Sequence, residues 1–240
     1  MTLVAGLDGC KAGWLIAVCP PFRFSECRVW IERTAETALS AWSEMAVIDM
    51  PVGLPAAQDS PRATDAAARA LLRAMNADGH ASPGSRVFSA PSRMALALFR
   101  AGCGYHALNA GLTGPKLSQQ AYHITRRISD VDDWMTPERQ QTRREGHPEV
   151  AFALLTGRTL PPKKSRAGAQ ARDTALSGLG FDLPGLTATL PPRAGRWAMD
   201  DLRDACVLAW VASRVVTGSH SALPERPETD ARGLRMEIVA

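Results

Sequence analysis

The sequence predicts an α/β fold, and three observations carry that prediction. Three short apolar or alternating runs open the chain, a helical stretch follows, and a fourth apolar run comes after it. Beyond that point the patterning is mostly helical. Finally, Gly6-Leu7-Asp8-Gly9 and Ile48-Asp49-Met50-Pro51 each set one aspartate at the end of an apolar strand. A carboxylate there, followed by glycine or proline, points into a cleft from a rigid support.

Taken in order, Leu3 to Leu7 reads as a buried strand ended by the Asp8-Gly9 turn signal. Trp14 to Val18 is a second strand, close enough to form an antiparallel hairpin with the first. Arg28 to Glu32 alternates as a half-exposed third strand does. Thr34 is a suitable N-cap for a helix through Trp42, with Ala35, Ala38, Leu39 and Trp42 on one face. Ala46 to Met50 is the fourth strand, returned to the sheet by that helix and ended by Pro51 and Gly53.

Residues 59–100 read as mostly helical, with a break from Gly79 to Gly84, and Gly102 to Lys116 reads as a flexible loop. Leu117 to Ile128 is another helix. Pro148 suits a first helical position, for a helix continuing to Gly157. Thr159 to Gly168 is basic, proline-interrupted and expected to be mobile. A helix over Ala169 to Leu179 and a loop over Pro184 to Gly195 follow. Asp200 is the expected N-cap of a last helix to about Val216, whose small apolar face (Ala205, Leu208, Ala209, Ala212) can lie flat on a sheet. Leu234 to Val239 is expected to add an edge strand.

The 240 residues suit one domain over 1–240, with 56–140 as a helical insertion after the fourth strand. Hydrophobic residues make up 45% and charged residues 22%, the balance of a globular protein. Five cysteines, an odd number with no Cys-x-x-Cys spacing, argue against a disulfide framework or structural zinc and for a reducing compartment. The first apolar run is broken by Asp8 and lacks a basic leader, and no run reaches the ~20 apolar residues of a membrane span, so a cytoplasmic location is expected. The net charge of +4 points weakly to a polyanion. Its sharper feature is a basic middle segment, from Arg126-Arg127 through Lys163-Lys164 to Arg172, which reads either as phosphate contacts or as a charged helix face.

Asp8 and Asp49 lie on strands expected to be neighbours, where two carboxylates repel unless a cation or proton lies between them. Asp201 and Asp204 share one face of the last helix, and Asp204, lying deeper, has less use as a cap. A helix that brings one more carboxylate completes the oxygen-rich shell preferred by Mg²⁺ or Mn²⁺. Glu145, His147 and Glu149 are candidates for a fourth ligand or for a base near an attacking water. Arg62, Asp65 and Arg69 share a helix face and read as a surface salt-bridge stripe or, if they line the cleft, as phosphate contacts. Ser85 to Pro91 has no derivable signature, Ser89 lacks a Gly-x-Ser-x-Gly elbow, and no Walker or Gly-x-Gly-x-x-Gly loop is present.

Gly-Leu-Asp-Gly-Cys-Lys-Ala-Gly-Trp, Ile-Asp-Met-Pro-Val-Gly-Leu-Pro, Arg-Val-Phe-Ser-Ala-Pro, His-Pro-Glu-Val-Ala-Phe and Asp-Asp-Leu-Arg-Asp-Ala follow one another here. In that order they resemble the domain-of-unknown-function 429 family, from residue 6 nearly to the C-terminus. The resemblance implies a ribonuclease H-like fold related to Holliday-junction resolvases, with a mixed five-stranded sheet flanked by helices. It implies that Asp8 is the first-strand acid, Asp49 the fourth-strand acid, Asp204 the final-helix ligand and Glu149 the glutamate of the His-Pro-Glu motif. The expected function is metal-dependent phosphodiester hydrolysis of DNA or RNA. Asp8, Asp49 and Asp204, with Glu149 or Asp201, would hold two ions ~4 Å apart. Lys11, Arg62, Arg69, His147 and Lys164 are the candidate substrate contacts. A nucleotide- or protein-binding module without catalysis is the alternative, with ATP-dependent phosphotransfer below it. The expected partner is nucleic acid or a nucleotide rather than a membrane, and a homodimer is open.

Overall fold

The computed structural model describes residues 2–40 and 43–240. The chain opens with β1 (Val4–Cys10), β2 (Gly13–Cys19), β3 (Arg28–Glu32), α1 (Ala35–Leu39) and β4 (Met45–Ile48). Then follow α2 (Ala63–Ala74), α3 (Arg93–Arg100), α4 (Tyr105–Gly111), α5 (Gln119–Trp134) and β5 (Arg143–Glu145). The remainder is α6 (Pro148–Thr156), α7 (Arg166–Leu179), α8 (Leu183–Thr189), α9 (Met199–Val216), β6 (Ala222–Thr229) and β7 (Arg235–Val239). The main sheet is mixed and five-stranded, in the order β3-β2-β1-β4-β5. β1–β2 and β2–β3 are antiparallel, whereas β1–β4 and β4–β5 are parallel.

Helices cover both faces of the sheet. Leu15, Ala17 and Val47 pack with Phe152 of α6, Leu176 of α7, Leu183 and Leu186 of α8, and the apolar face of α9. Leu7, Ile16 and Ile48 pack on the other side with Ala38 and Leu39 of α1 and Ile128 and Val131 of α5. The small residues of α9 let it lie directly on β1. A Cβ added at Gly6 would stand 2.0 Å from the carbonyl oxygen of Ala205, so that close approach requires glycine.

Thr34 caps α1 as expected, its hydroxyl accepting from the Thr37 amide; Trp42 lies outside the described residues. Several elements differ from expectation. Residues 102–116 hold α4, because Leu108 and Leu112 are buried and the Asn109 side chain bonds both N–H and C=O of Leu117. Residues 184–195 begin inside α8, where Pro184 sits in the first turn and Asp182 caps the Gly185 amide. Segment 159–168 is anchored rather than loose: Thr159 donates through its amide to Met75 and through its hydroxyl to Leu72, and Leu160 is buried. The N-cap of α9 is Ala198 rather than Asp200, and Asp201 reaches back to the Ala198 amide at 2.7 Å.

β7 pairs with β6 in a separate two-stranded sheet and meets the main one through a Gly146–Val239 bridge beside β5. β4 and β5 are separated by residues 49–142, which carry α2 to α5. No helix among the described residues is long and apolar enough to cross a membrane.

Candidate metal centre

Strand alternation aims the first two acids. Val4 and Cys10 of β1 pack on the α9 side, so Asp8, an even number of residues from both, faces the same way. Val47 of β4 also packs on that side, and Asp49 lies two residues beyond it. The Asp49 amide donates to the Leu7 carbonyl at 2.9 Å, which fixes the two strand ends side by side. α9 lies across both strands and delivers Asp204 from its second turn. The result is a cluster in which Asp8, Asp49 and Asp204 each offer a carboxylate oxygen, all within 4.8 Å of one another. Three hard oxygen donors at that spacing can hold a metal ion.

The electrostatics show three crowded acids whose charges call for a proton or a cation. Burial, followed by the charges of Asp49 and Asp204, holds the Asp8 carboxyl well above the usual carboxylate range. Burial pushes Asp49 up to about 6, against the pull of Lys163. Asp204 is likewise pushed up to about 6 by burial; Lys163 opposes the shift and Asp49 adds to it. Asp204 Oδ2 accepts from Lys163 Nζ at 2.7 Å, while its buried Oδ1 has no partner among the described residues. Burial works to lower the Lys163 ammonium, but Asp204, Asp49 and Asp8 outweigh it and raise its pKa. A lysine therefore neutralises part of the cluster that a metal ion would otherwise neutralise.

These groups open into a cleft of ≈ 600 Å³ also lined by His147, Lys164, Arg86 and Arg127. His147 is held neutral by burial, which outweighs the charges of Glu149 and Asp204, and its buried Nδ1 has no partner among the described residues. Lys164 is exposed at the cleft wall.

Other candidates stand elsewhere or are already occupied. Glu149 gives one oxygen to Arg172 and the other to Arg86, and those arginines hold it below the usual carboxylate range despite its burial. It does not belong to the cluster of close carboxylates. Asp201 spends Oδ2 on the Ala198 amide. Lys11 is exposed in the β1–β2 turn and does not line the cleft. Arg69 braces residues 87–89 through the Val87 carbonyl and Ser89 hydroxyl.

The expected surface stripe is corrected outright: Arg62 and Asp65 are only 3% and 1% exposed. Arg62 spends its guanidinium on Asp65, Glu145 and the carbonyls of Val52 and Gly53, so it has no donor left for a phosphate. Burial pushes Glu145 up to about 7, a rise that Arg62 restrains.

Sequence reasoning missed the roles of Lys163, Arg86 and Arg172. Lys163 and Lys164 are adjacent in a basic run, and nothing in their type distinguishes the one that reaches Asp204. Arg86 lies in the Ser85–Pro91 stretch, where only the folded position of Glu149 reveals its use.

No curated protein and no solved structure matches this chain. The family described as a protein of unknown function (DUF429) is matched over residues 6–229, a span that includes the three clustered aspartates, and the chain belongs to that family.

Proposed function

We propose that the chain is a divalent-cation-dependent phosphodiester hydrolase of the ribonuclease H-like kind, acting on nucleic acid. The observation that carries this reading is the cluster of Asp8, Asp49 and Asp204 within 4.8 Å, in a cleft that Lys163 and Lys164 also line. The mixed five-stranded sheet between helical layers agrees with that fold at the level of architecture. An all-oxygen donor set favours Mg²⁺ or Mn²⁺ over softer metals. When bound, such an ion supplies a Lewis acid for a phosphoryl oxygen and acidifies a water.

The remaining work falls to the chain itself. Asp8, Asp49 and Asp204 would hold the ion, which would compete with the Lys163 ammonium for the Asp204 carboxylate. Three close carboxylates make one cation site, so the two-ion expectation narrows to one ion unless Asp201 or Glu149 leaves its present partners. Lys164 and the released Lys163 ammonium hold the phosphodiester as point charges. His147, neutral and lining the same cleft, would take the proton from the attacking water.

The test is Mn²⁺ titration by calorimetry at pH 8, followed by cleavage assays on labelled single-stranded and duplex DNA and RNA. Wild type is expected to bind and to cleave at least one substrate, and Asp204→Asn to do neither. A protein that binds no divalent cation at pH 8 would sink the proposal.

Lys163→Met provides a separate check. With no ammonium to displace from Asp204, Mn²⁺ is expected to bind about ten-fold more tightly, a gain of about 1.4 kcal/mol, while nucleic-acid affinity falls. Unchanged Mn²⁺ affinity in calorimetry would show that Lys163 does not compete for the carboxylates.

A further inference from the structure

The two edges of the main sheet are not equivalent. At one edge β5 is flanked by β7, through the Gly146–Val239 bridge. At the other edge β3 pairs only with β2 among the described residues. Outside that ladder, a 3.7 Å contact from Cys27 Sγ to the Arg28 carbonyl is the one hydrogen bond reaching the β3 backbone among the described residues. The outward N–H and C=O groups of an edge strand are a template for another strand.

The β3 sequence, Arg28-Val29-Trp30-Ile31-Glu32, complements itself when reversed. Antiparallel pairing of two copies about a two-fold axis at Trp30 sets Arg28 opposite Glu32 at both ends, Val29 opposite Ile31, and Trp30 opposite Trp30. The faces agree with this register. Val29 and Ile31 pack into the core on the α9 side, so Arg28, Trp30 and Glu32 share the other face. Both charges are unspent: Arg28 is exposed and has no ion pair among the described residues. Glu32 accepts from Trp30 Nε1 at 3.1 Å through Oε1, which orients the carboxylate and leaves Oε2 open.

We infer that β3 is the seat of a homodimer, two copies pairing through this strand to form one continuous sheet with Arg28–Glu32 ion pairs on either side of a tryptophan pair. Five paired residues span roughly 17 Å, short for a stable contact that typically buries ~800 Å² per partner. The flanks of the strand provide the additional surface. A groove of ≈ 1110 Å³ lined by Trp30, Thr37 and Ser40 lies along it, and a second of ≈ 460 Å³ is lined by Val29, Gly185 and Leu186. The clustered aspartates stand on β1, β4 and α9, so this pairing leaves the cleft open.

Charged residues on an edge strand also occur simply to repel other strands, and a charge-exchange series separates the two roles. Light scattering on the eluting 240-residue chain is expected to give a dimer for wild type and monomers for Arg28→Glu and for Glu32→Arg, each of which sets like charges opposite one another. The double variant Arg28→Glu/Glu32→Arg is expected to return to the dimer, and mixing the two single variants is expected to give a heterodimer. Far-UV circular dichroism identical to wild type shows that these surface changes leave the fold intact. A wild type that stays monomeric at every concentration overturns the inference, as do single variants that remain dimeric or a double variant that does not recover.

Discussion

Asp8→Asn is expected to abolish Mn²⁺ binding and, at the same time, to raise the thermal midpoint of the metal-free protein by roughly 2–12 °C at pH 8. Both effects have one cause. A carboxylate raised from 3.8 to about 6, as Asp49 and Asp204 are, binds a proton more tightly folded than unfolded. Between those values the folded state holds more protons at these two groups than the unfolded chain, so their contribution to stability is greatest below pH 4 and is lost as pH rises through about 6. Each such group costs about 3 kcal/mol above that window. Removing Asp8 takes away the carboxyl whose ionisation burial, Asp49 and Asp204 all oppose, for a gain on the order of 1–3 kcal/mol. A bound cation relieves the same repulsion in wild type, so Mn²⁺ is expected to raise the wild-type midpoint at pH 8, to do so far less at pH 5, and to leave the variant unmoved. Differential scanning calorimetry at both pH values, with and without Mn²⁺, measures all of this. A variant less stable than wild type in the absence of metal would show that Asp8 is a structural polar group rather than one of three opposed ligands.

The two strand-end acids were legible because strand ends are. Leu3–Leu7 and Ala46–Met50 carry enough apolar residues to be read as strands, and the Gly and Pro that follow mark where they stop. Asp204 was legible as a residue of the last helix, since the small face that allows α9 to touch Gly6 is written in its sequence. β5 was not, because Arg143-Arg144-Glu145 has no apolar pattern at all. It is a strand because β4 offers it a parallel ladder and because buried Arg143 donates to the Leu39 carbonyl. The helices α4 and α8 were hidden by glycine and proline read as breakers, although Pro184 occupies a first turn where proline is welcome. The arginines were least legible of all. A charged side chain three residues from its opposite looks like a surface pair, and only the tertiary position of Glu145 makes Arg62 a buried one.

That buried pair gives the second large effect. Arg62→Ala is expected to destabilise the protein by about 3–5 kcal/mol, lowering its midpoint by roughly 6–20 °C, because Asp65 and Glu145 remain buried with their shared cation gone. Glu145 stands at about 7 even with Arg62 beside it and rises further without it, so the loss should be smaller at pH 5, where Glu145 takes up a proton, than at pH 8. The damage reaches the metal centre by a short path. Glu145 Oε2 accepts from the Val52 amide at 2.7 Å, and Val52 lies three residues beyond Asp49, so cation affinity should fall together with stability. Urea melts at the two pH values, paired with Mn²⁺ titration, test both parts. A phosphate-binding role for Arg62 instead requires unchanged stability and weaker substrate binding, an outcome that its bonds to Asp65 and Glu145 disfavour. The neutral triple replacement Arg62→Met/Asp65→Asn/Glu145→Gln supplies the control. It keeps acceptors for the Val52 and Ala90 amides while removing these three buried charges, and it should recover much of what the single substitution loses.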